Sequence, residues 1–390
     1  MIPVNEELDL LFDLVHPVGI EEVPLSDASG RVLAQDLIAK RTQPPFAASA
    51  MDGYAVSGGA PALGARFRLV GESAAGHGWA GRLVAGECVR IFTGAPVPEG
   101  ADFVVIQEDT TRISSEVTIA RAPGAEANIR PAGADFHQGH QFSSPRRLRP
   151  ADIALLAAMN HARLPVRRRP SVALISTGDE LVMPGEAPGP DQIIASNTFG
   201  LKAMLKEEGC RARILPIARD TDAAIAQAFD LAQSADLIVT IGGASVGDHD
   251  LVAGVAAQEG AMQSFHKVAM RPGKPLMGGR LGGAMMIGLP GNPVSAMVCG
   301  HVFVLPVVRA MMGLPATPAP RLRAQLGRAV KANGPREHYM RAVVENGAIA
   351  DCEDQDSALL SVLSQANALM VRPVGDEARA AGDWVEYIAI

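Results

Sequence analysis

Residues 172–180 read Val-Ala-Leu-Ile-Ser-Thr-Gly-Asp-Glu, and residues 237–250 read Leu-Ile-Val-Thr-Ile-Gly-Gly-Ala-Ser-Val-Gly-Asp-His-Asp. In each stretch an apolar run typical of a buried strand leads into a loop rich in glycine and carboxylates. Ligands of open α/β sheets bind beyond the carboxyl ends of strands, where glycine lets the backbone approach a phosphate and carboxylates hold a divalent metal. The pattern therefore predicts an enzyme that acts on a phosphorylated small molecule.

The sequence around these two loops alternates between short apolar runs and helical segments. Helices are expected near 196–208, 222–233 and 251–258 and from about Asn292, and strands at 172–176, 213–218, 237–241, 265–270 and 285–288. Strands separated by helices of this length predict a parallel sheet that is covered on both faces. A proline-rich stretch at 315–320 marks the end of this α/β block.

The flanking regions have a different pattern. Residues 21–135 are dense in glycine and proline with short β-like runs, which predicts a small β-rich domain. Helical spacing around 152–160 and 6–15 indicates a separate elongated domain, and β-like alternation in 321–390 predicts a small barrel or sandwich. The longest uncharged run, 294–308, contains Pro306 and is short for a membrane span, so we expect a buried helix there.

The composition is that of a globular protein, with 48% hydrophobic and 20% charged residues in a chain of 390. The net charge of −7 argues against a nucleic-acid partner, because such partners usually require a basic face. The N-terminus is acidic, unlike a signal peptide, and we expect a cytoplasmic protein without a membrane segment. No metal-ligand spacing relates the cysteines, which indicates buried thiols in a reducing compartment: Cys88, Cys210, Cys299 and Cys352.

Three further features of the α/β block suggest anion binding. The loop 242–248 has three glycines and a serine, and successive amides in such a loop form an anion-binding nest. Residues 270–275 place Arg271 and Lys274 beside rigid prolines, as in an oxyanion clamp, although a basic surface turn is the alternative. Residues 289–295 open the long helix, and the glycine before its cap suggests that an anion also approaches this helix N-terminus. Capping alone explains Asn292 equally well.

Six motifs, in this order along the whole chain, resemble the molybdopterin molybdenumtransferase family, the bacterial MoeA group that is homologous to the gephyrin E domain. The motifs are Met51-Asp-Gly-Tyr-Ala55, Phe92-Thr-Gly-Ala-Pro-Val-Pro-Glu-Gly-Ala-Asp102, Ser176-Thr-Gly-Asp-Glu180, Gly242-Gly-x-Ser-x-Gly-Asp248, Pro272-Gly-Lys-Pro275 and Pro290-Gly-Asn-Pro293. The implied activity is the last step of molybdenum cofactor synthesis. Adenylylated molybdopterin and molybdate react in that step to give molybdenum cofactor and AMP, with Mg²⁺ as the usual divalent cation.

The resemblance also implies an architecture: an elongated homodimer whose site lies between the α/β domain of one subunit and the β-rich domain of the other. It divides the chain into an elongated N-terminal linker domain (1–20, 41–48 and 136–169) and a β-rich domain (21–40 and 49–135). A three-layer, parallel-sheet, molybdopterin-binding α/β domain (170–315) and a C-terminal β-barrel (316–390) would follow. Transient contacts with the molybdopterin adenylyltransferase and with molybdoenzymes are expected.

The resemblance assigns roles to particular residues of this sequence. Catalytic roles fall on Asp52, Thr93, Asp135, Glu180, Asp220 and Asp248, and metal binding on Glu180, Asp248 and Asp250. The adenylylated pterin would be bound by Thr177, Gly178, Asp179, Asn197, Gly242, Gly243, Ser245, Gly247, Pro290, Gly291, Asn292 and Pro293. Molybdate would be bound by Arg271, Lys274, Arg341 and Ser357. Arg271 stands where many relatives carry lysine, so a planar fork replaces a point donor.

Two other functions compete with this interpretation. The adenylyltransferase of the preceding step shares the α/β domain and its glycine loop, but such proteins are shorter and lack the motifs at 51–55 and 92–102. A gephyrin-like scaffold that binds receptor peptides would be expected to carry an extra N-terminal domain and a long linker, which these 390 residues do not include. Molybdate-dependent release of AMP would distinguish the transferase from both.

Overall fold

The computed structural model describes residues 1–242 and 251–390. Within these ranges, six strands form the central sheet, in the order Arg211–Ile214, Ser171–Ser176, Leu237–Ile241, Ala284–Leu289, Pro275–Leu281 and Met262–Lys267. The first four strands run parallel and the last two are antiparallel to their neighbours. The sheet is thus mixed rather than wholly parallel. The strand Pro275–Leu281 had no strand prediction, because its proline and two glycines weaken the β signal.

Helices cover both faces of the central sheet, as the sequence predicts. Alternate residues of a strand point to opposite faces. Val172 and Leu174 accordingly share a core cluster with the helices Asn197–Glu207 and Pro293–Met311. Ala173 and Ile175 belong instead to a second cluster, together with the helices Asp222–Ala232 and Leu251–Gln258.

The helix Pro293–Met311 is long and apolar enough to cross a membrane, yet 83% of its 18-residue apolar window is buried inside the protein. It consists of an α-helical segment Pro293–Cys299, a π-helical segment Gly300–Val304 and a second α-helical segment Leu305–Met311. Its burial matches the core helix that the sequence predicts.

The first helix of the chain, Val4–Asp13, packs on the α/β core, whereas the family resemblance predicts that 1–20 belong to the linker domain. Its apolar side, formed by Val4, Leu8 and Leu11, lies in the same cluster as the sheet and the long helix. The amide of Val18 donates a 2.8 Å hydrogen bond to the carbonyl of Met311. The chain start is therefore joined to the end of the α/β block.

A small sheet follows, in the order Ile20–Pro24, Arg163–Arg167, Val32–Leu33 and Arg146–Arg147. The pair Leu37–Ile38 and Gln141–Phe142 and the helix Pro150–Ala158 complete this region, which has its own core cluster. The family resemblance places 21–40 in the β-rich domain, whereas in the structure the strands of this segment pair with strands of 141–167. These short strands instead find their hydrogen-bonding partners more than 100 residues later, which no local pattern reveals.

The β-rich region is built on a sheet with the strand order Phe103–Ile106, Gly53–Val56, Glu87–Ile91, Arg66–Ser73, Glu116–Ile119 and Thr110–Ile113. A short 3₁₀ turn at Gln107–Asp109 lies between two of these strands, and another at Leu25–Asp27 follows Ile20–Pro24 in the four-stranded sheet. Ala48–Ser49 pairs with Ile129–Arg130 in a separate two-stranded sheet.

The C-terminal region, all of it described, is a closed barrel of five strands. They follow the order Glu337–Glu345, Ala348–Asp351, Leu322–Leu326, Trp384–Ala389 and Ala368–Arg372, and the last pairs with the first. The short strand Met270–Arg271 pairs in parallel with the start of Glu337–Glu345. The short helix Leu360–Leu363 precedes Ala368–Arg372. The closed strand order shows that the C-terminal region is a barrel and not a sandwich. The pairing of Met270–Arg271 with Glu337–Glu345 connects the barrel to the α/β region.

Candidate active site

A cleft of about 1330 Å³ opens at the carboxyl ends of three neighbouring parallel strands. Thr177, Gly242 and Pro290 are the first residues beyond these strands, and all three line the cleft. The amide of Thr177 donates to the carbonyl of Ile241 at 3.1 Å, and the amide of Gly242 donates to the carbonyl of Leu289 at 3.1 Å. Ladder-like hydrogen bonds therefore continue one residue past the strands and fix the cleft floor.

The floor contains a polar group without a partner. The Oγ1 atom of Thr177 is buried, and among the described residues it has no hydrogen-bond partner. Gly242 has φ +93°, and a Cβ atom there would lie 2.8 Å from the carbonyl oxygen of Thr177. Buried hydroxyls are normally satisfied, so this site suits a ligand atom that accepts or donates a hydrogen bond.

Carboxylates line the cleft from two loops, the one after Ser171–Ser176 and the one before the helix Asp222–Ala232. Glu180 and Asp220 both line the cleft. The Glu180 carboxylate folds back over Gly178, where a Cβ atom would come within 2.3 Å of its Oε2 atom. Asp179 does not line the cleft; its carboxylate accepts a 3.3 Å hydrogen bond from the amide of Asp220 and so supports that loop.

Cations come from two segments. Arg271 and Lys274 line the cleft and are exposed, and neither forms an ion pair with a residue of 1–242 or 251–390. Arg336, just before the barrel strand Glu337–Glu345, also lines the cleft. Burial, followed by the charges of Arg271 and other arginines, lowers the pKa of the neighbouring His338 to about 4. The imidazole is therefore neutral at physiological pH, and this part of the cleft keeps a positive charge from its arginines and lysine.

The long helix begins in the cleft, and the barrel contacts it there. Asn197 Nδ2 donates a 2.7 Å hydrogen bond to the carbonyl of Gly291. Within the part of the chain that the structure describes, the Asn292 side chain makes no capping hydrogen bond. Its Nδ2 atom donates to Ser357 Oγ at 3.3 Å, and the carbonyl of Ser357 accepts from the main-chain amide of Val294 at 3.0 Å. The expected N-cap function of Asn292 is thus taken over by a loop of the barrel.

Arg341, predicted to bind molybdate, does not line the cleft. Its side chain is almost completely buried, and its Nη1 atom donates a 2.7 Å hydrogen bond to the carbonyl of Asp356. Gln355 accepts from both the amide and the Nε atom of Arg341, at 2.9 and 3.3 Å. Burial lowers the pKa of Arg341. Arg341 therefore holds the loop that presents Ser357.

Asp52, Thr93 and Asp135 lie in other parts of the chain and do not line this cleft. The Oδ1 atom of Asp52 accepts from the amide of Thr93 at 2.7 Å and from its hydroxyl at 2.8 Å. These hydrogen bonds hold the pKa of Asp52 below its usual value. Asp135 is exposed. Within one chain, the first two residues form a pair that is separate from the cleft.

The structure brings thirteen predicted site residues together at this cleft, counted over the described ranges. They are Thr177, Gly178, Glu180, Asn197, Asp220, Gly242, Arg271, Lys274, Pro290, Gly291, Asn292, Pro293 and Ser357. Five other predicted residues lie outside the described residues: Gly243, Ser245, Gly247, Asp248 and Asp250.

Sequence reasoning missed several residues that line the cleft, chiefly Arg336, Gln355 and Asp356. Arg336 follows Gly334-Pro335 at the start of a strand, a signal for a turn but not for a site. Gln355 and Asp356 adjoin Ser357, yet nothing in their spacing shows that the barrel loop reaches the α/β region.

The described donors fit a magnesium ion in type. No group of three or more histidine, cysteine or acidic side chains could hold a metal within the described residues. Glu180 and Asp220 nevertheless give the cleft carboxylate oxygens, and Mg²⁺ is commonly bound by one or two carboxylates together with water and substrate phosphates.

The chain matches three family descriptions in order along its length. They are the MoeA N-terminal region (domain I and II) over 2–160, the probable molybdopterin binding domain over 173–310 and the MoeA C-terminal region (domain IV) over 323–390. A curated relative from Nostoc sp., named molybdopterin molybdenumtransferase, is 33% identical, with 96% of this chain and 91% of the relative covered. The chain belongs to the molybdopterin molybdenumtransferase family. It is a transferase with a role in molybdenum cofactor biosynthesis.

Other relatives give the same family. Molybdopterin molybdenumtransferase 2 of Mycobacterium tuberculosis is 36% identical, with 96% of each chain covered. A crystal structure of the molybdopterin biosynthesis MoeA protein from Pyrococcus horikosii superimposes with a TM-score of 0.84 at 28% identity, covering 100% of this chain and 99% of that one. The multidomain fold is therefore that of the family.

Proposed function

We propose that this enzyme inserts molybdenum from molybdate into adenylylated molybdopterin and releases AMP, the final step of molybdenum cofactor biosynthesis. The observation that carries the proposal is the combination of Arg271 and Lys274 with carboxylates and a helix N-terminus in one cleft. A dianion such as molybdate needs fixed cations, and the phosphates of an adenylate suit a helix start and a glycine loop.

The chain's own groups would position both substrates. Arg271, Lys274 and Arg336 attract molybdate, and Ser357, held by Arg341 and Gln355, places a hydroxyl nearby. Gly242, Gly291 and Asn292 offer main-chain groups to the adenylylated pterin, and Thr177 offers its buried hydroxyl. The bond that breaks is the phosphoanhydride between the adenylate and the pterin phosphate. A molybdate oxygen attacks the phosphorus of the adenylate, which expels the pterin phosphate and leaves an adenylyl-molybdate. The two dithiolene sulfurs, as thiolates after losing their protons, then bind the molybdenum and displace AMP, which keeps the bridging oxygen.

Glu180 and Asp220 of the described residues, with Asp248 and Asp250 of the glycine loop, are the residues we assign to holding Mg²⁺. When bound, the ion would offset the negative charge that develops on the phosphoanhydride oxygens. Without cations, these carboxylates would repel both anionic substrates, so the basic residues of the cleft are a necessary part of the proposal.

We further propose a cytoplasmic homodimer in which Asp52, Thr93 and Asp135 of one subunit complete the cleft of the other. The support is that Asp52 and Thr93 belong to family motifs, and that all three residues lie outside the cleft of their own chain. Transient contacts with the molybdopterin adenylyltransferase and with recipient molybdoenzymes follow from a reaction that passes on a labile cofactor.

The test is AMP release by the purified protein supplied with adenylylated molybdopterin, Mg²⁺ and increasing molybdate. We expect AMP release that saturates with molybdate and stays near background without it. Lys331→Ala removes an exposed barrel cation outside the cleft, so it serves as the control for variants that remove a cation of the cleft. Its AMP release should depend on molybdate as that of the wild-type protein does. AMP release that ignores molybdate would contradict the proposal, as would consumption of ATP to form the adenylate.

A further inference from the structure

A second, smaller pocket lies where the four-stranded sheet meets the helix Asn197–Glu207, and no residue of the described ranges lines both this pocket and the cleft. Its volume is about 220 Å³. Three segments of the N-terminal half converge on it: 29–32, Arg147 and 167–169. Lys206, Glu207, Gly209 and Met312 form the rest of the wall.

The lining of this pocket is strongly basic in a protein whose net charge is −7. One carboxylate, that of the exposed Glu207, is in the lining. Against it stand six cationic side chains, namely Arg31, Arg147, Arg167, Arg168, Arg169 and Lys206. Bringing so many like charges together is unfavourable unless counter-charges are near.

Ion pairs with carboxylates outside the lining compensate three of these six cations. Arg31 pairs with Glu21, Arg147 with Glu208 and Arg168 with Asp236. Glu208 also pairs with Arg309, at 2.8 Å, so its charge is shared. Among the described residues, the remaining three cations have no acidic partner: Arg167, Arg169 and Lys206.

Several of the arginines are held in fixed positions. Arg167 Nη1 donates to the carbonyl of Val18 at 2.9 Å, and Arg31 Nη2 donates to the carbonyl of Arg167 at 2.8 Å. Arg147 Nη1 donates to the carbonyls of Gly30 and Glu208, at 3.3 and 3.1 Å. Guanidinium groups fixed in this way lose little conformational entropy when they also bind an oxyanion.

We propose that this pocket binds a phosphate group as a second anion site, separate from the active-site cleft. Its volume lies below the range of about 300–1,000 Å³ that holds a whole drug-sized ligand. It equals roughly seven water volumes of about 30 Å³ each, which is room for one tetrahedral oxyanion together with part of its hydration shell. The ligand is therefore inorganic phosphate or the terminal phosphate of a phosphomonoester whose remainder extends into solvent.

The test uses the whole 390-residue chain with Lys274→Ala and Arg336→Ala, so that the cleft contributes little anion binding. Inorganic phosphate is titrated by calorimetry in a chloride buffer of low ionic strength, and β-glycerophosphate is titrated in parallel. Arg169→Ala with Lys206→Ala then removes two unpaired cations of the pocket. The matched control is Lys202→Ala with Lys331→Ala, which changes the net charge by the same amount. Neither lysine lines the pocket, and Lys202 lies on the same helix as Lys206.

We expect saturable binding with one phosphate per chain. The pocket variant should weaken it about tenfold, as expected for loss of charge-assisted hydrogen bonds, while the control variant should leave it within about twofold. Equal affinity for the two ligands would indicate a site for phosphomonoesters, and preference for inorganic phosphate would indicate a closed site for the free ion. Absence of saturable binding, or equal weakening by both double variants, would overturn the proposal.

Discussion

Glu180 owes its position to a single glycine. Gly178 has φ +144°, a conformation that residues with a side chain rarely adopt, and the carboxylate of Glu180 occupies the space that a Cβ atom would need. The same loop exposes Glu180 to the cleft rather than packing it in the core. Its contribution is therefore expected to be chemical, with little effect on stability.

Glu180→Gln should reduce AMP release at least tenfold while shifting the melting temperature by only about 1–2 °C, because a surface side chain of this kind carries little folding energy. Steady-state assays and thermal melts on the same preparations measure the two effects. Glu186→Gln, an exposed glutamate that follows on the same segment, is the control. A large fall in melting temperature with normal activity per folded molecule would show that Glu180 is structural.

Lys274→Ala should raise the molybdate concentration needed for half-maximal AMP release by about tenfold to a hundredfold, because a dianion bound by few cations loses one charge-assisted hydrogen bond. Arg271→Lys should have a smaller effect, since the charge survives and only the planar fork is lost. Molybdate titrations of both variants measure the change. Normal molybdate dependence with lost pterin binding would instead place Lys274 on the phosphate side of the site.

At the scale of elements, one buried ion pair supports the barrel. Arg372, on the strand Ala368–Arg372, is almost fully buried and donates from Nε to Asp376 Oδ2 at 2.6 Å. Its other nitrogens donate to the carbonyls of Lys331 and Glu377, at 3.1 and 2.7 Å. Hydrogen bonds from Arg379 and then Arg372 lower the pKa of Asp376 below its ordinary value of 3.8.

Asp376→Ala should destabilise the barrel by about 3–5 kcal/mol, because it leaves the buried guanidinium of Arg372 without a counter-charge. Chemical denaturation measures the loss, and Glu377→Ala, an exposed neighbour that contributes only its carbonyl, is the control. Since the folded protein lowers the pKa of Asp376, the stabilisation is complete at neutral pH and is lost as the pH falls below 3.8. A gap between wild type and variant that does not narrow as the pH falls from 7 to 2 would contradict this origin.

The sequence predicts elements well where a local pattern suffices. The strand Leu237–Ile241 and the helix Leu251–Gln258 have the predicted bounds, because an apolar run and helical spacing are both local signals. The strand Pro275–Leu281 is not predicted, because its two glycines leave no alternation of polar and apolar side chains. It is defined instead by hydrogen bonds to its neighbours in the sheet, Met262–Lys267 and Ala284–Leu289. Within the site, the strand-end loops were predicted, but Arg336 was not, since its position depends on how the barrel docks.

At the scale of the molecule, the separation of Asp52 and Thr93 from the cleft motivates a test of the proposed shared site. Asp52→Ala and Glu180→Gln proteins, each nearly inactive alone, should regain activity when mixed under conditions that exchange subunits. A mixed dimer has one intact composite site of two, so about a quarter of wild-type activity is expected from equal amounts with random exchange.

The mixing experiment needs a direct measure of exchange, for example mass spectrometry of subunits that carry different tags. Mixing Asp52→Ala with Thr93→Ala is the matched control, because both changes would lie on the same half of every site and no intact site would form. Demonstrated mixed dimers without recovered activity would show that each site is built from one chain.

The position of the first helix has a consequence for how the protein is made. Val4–Asp13 packs against Pro275–Leu281 and Leu305–Met311, segments that a ribosome synthesises about 270 and about 300 residues later. During translation its apolar side therefore remains without its final binding surface, a period in which nascent chains are prone to aggregate or to need a chaperone. The long sequence separation of these contacts also predicts that the α/β region completes its fold only after most of the chain has been synthesised and has left the ribosome.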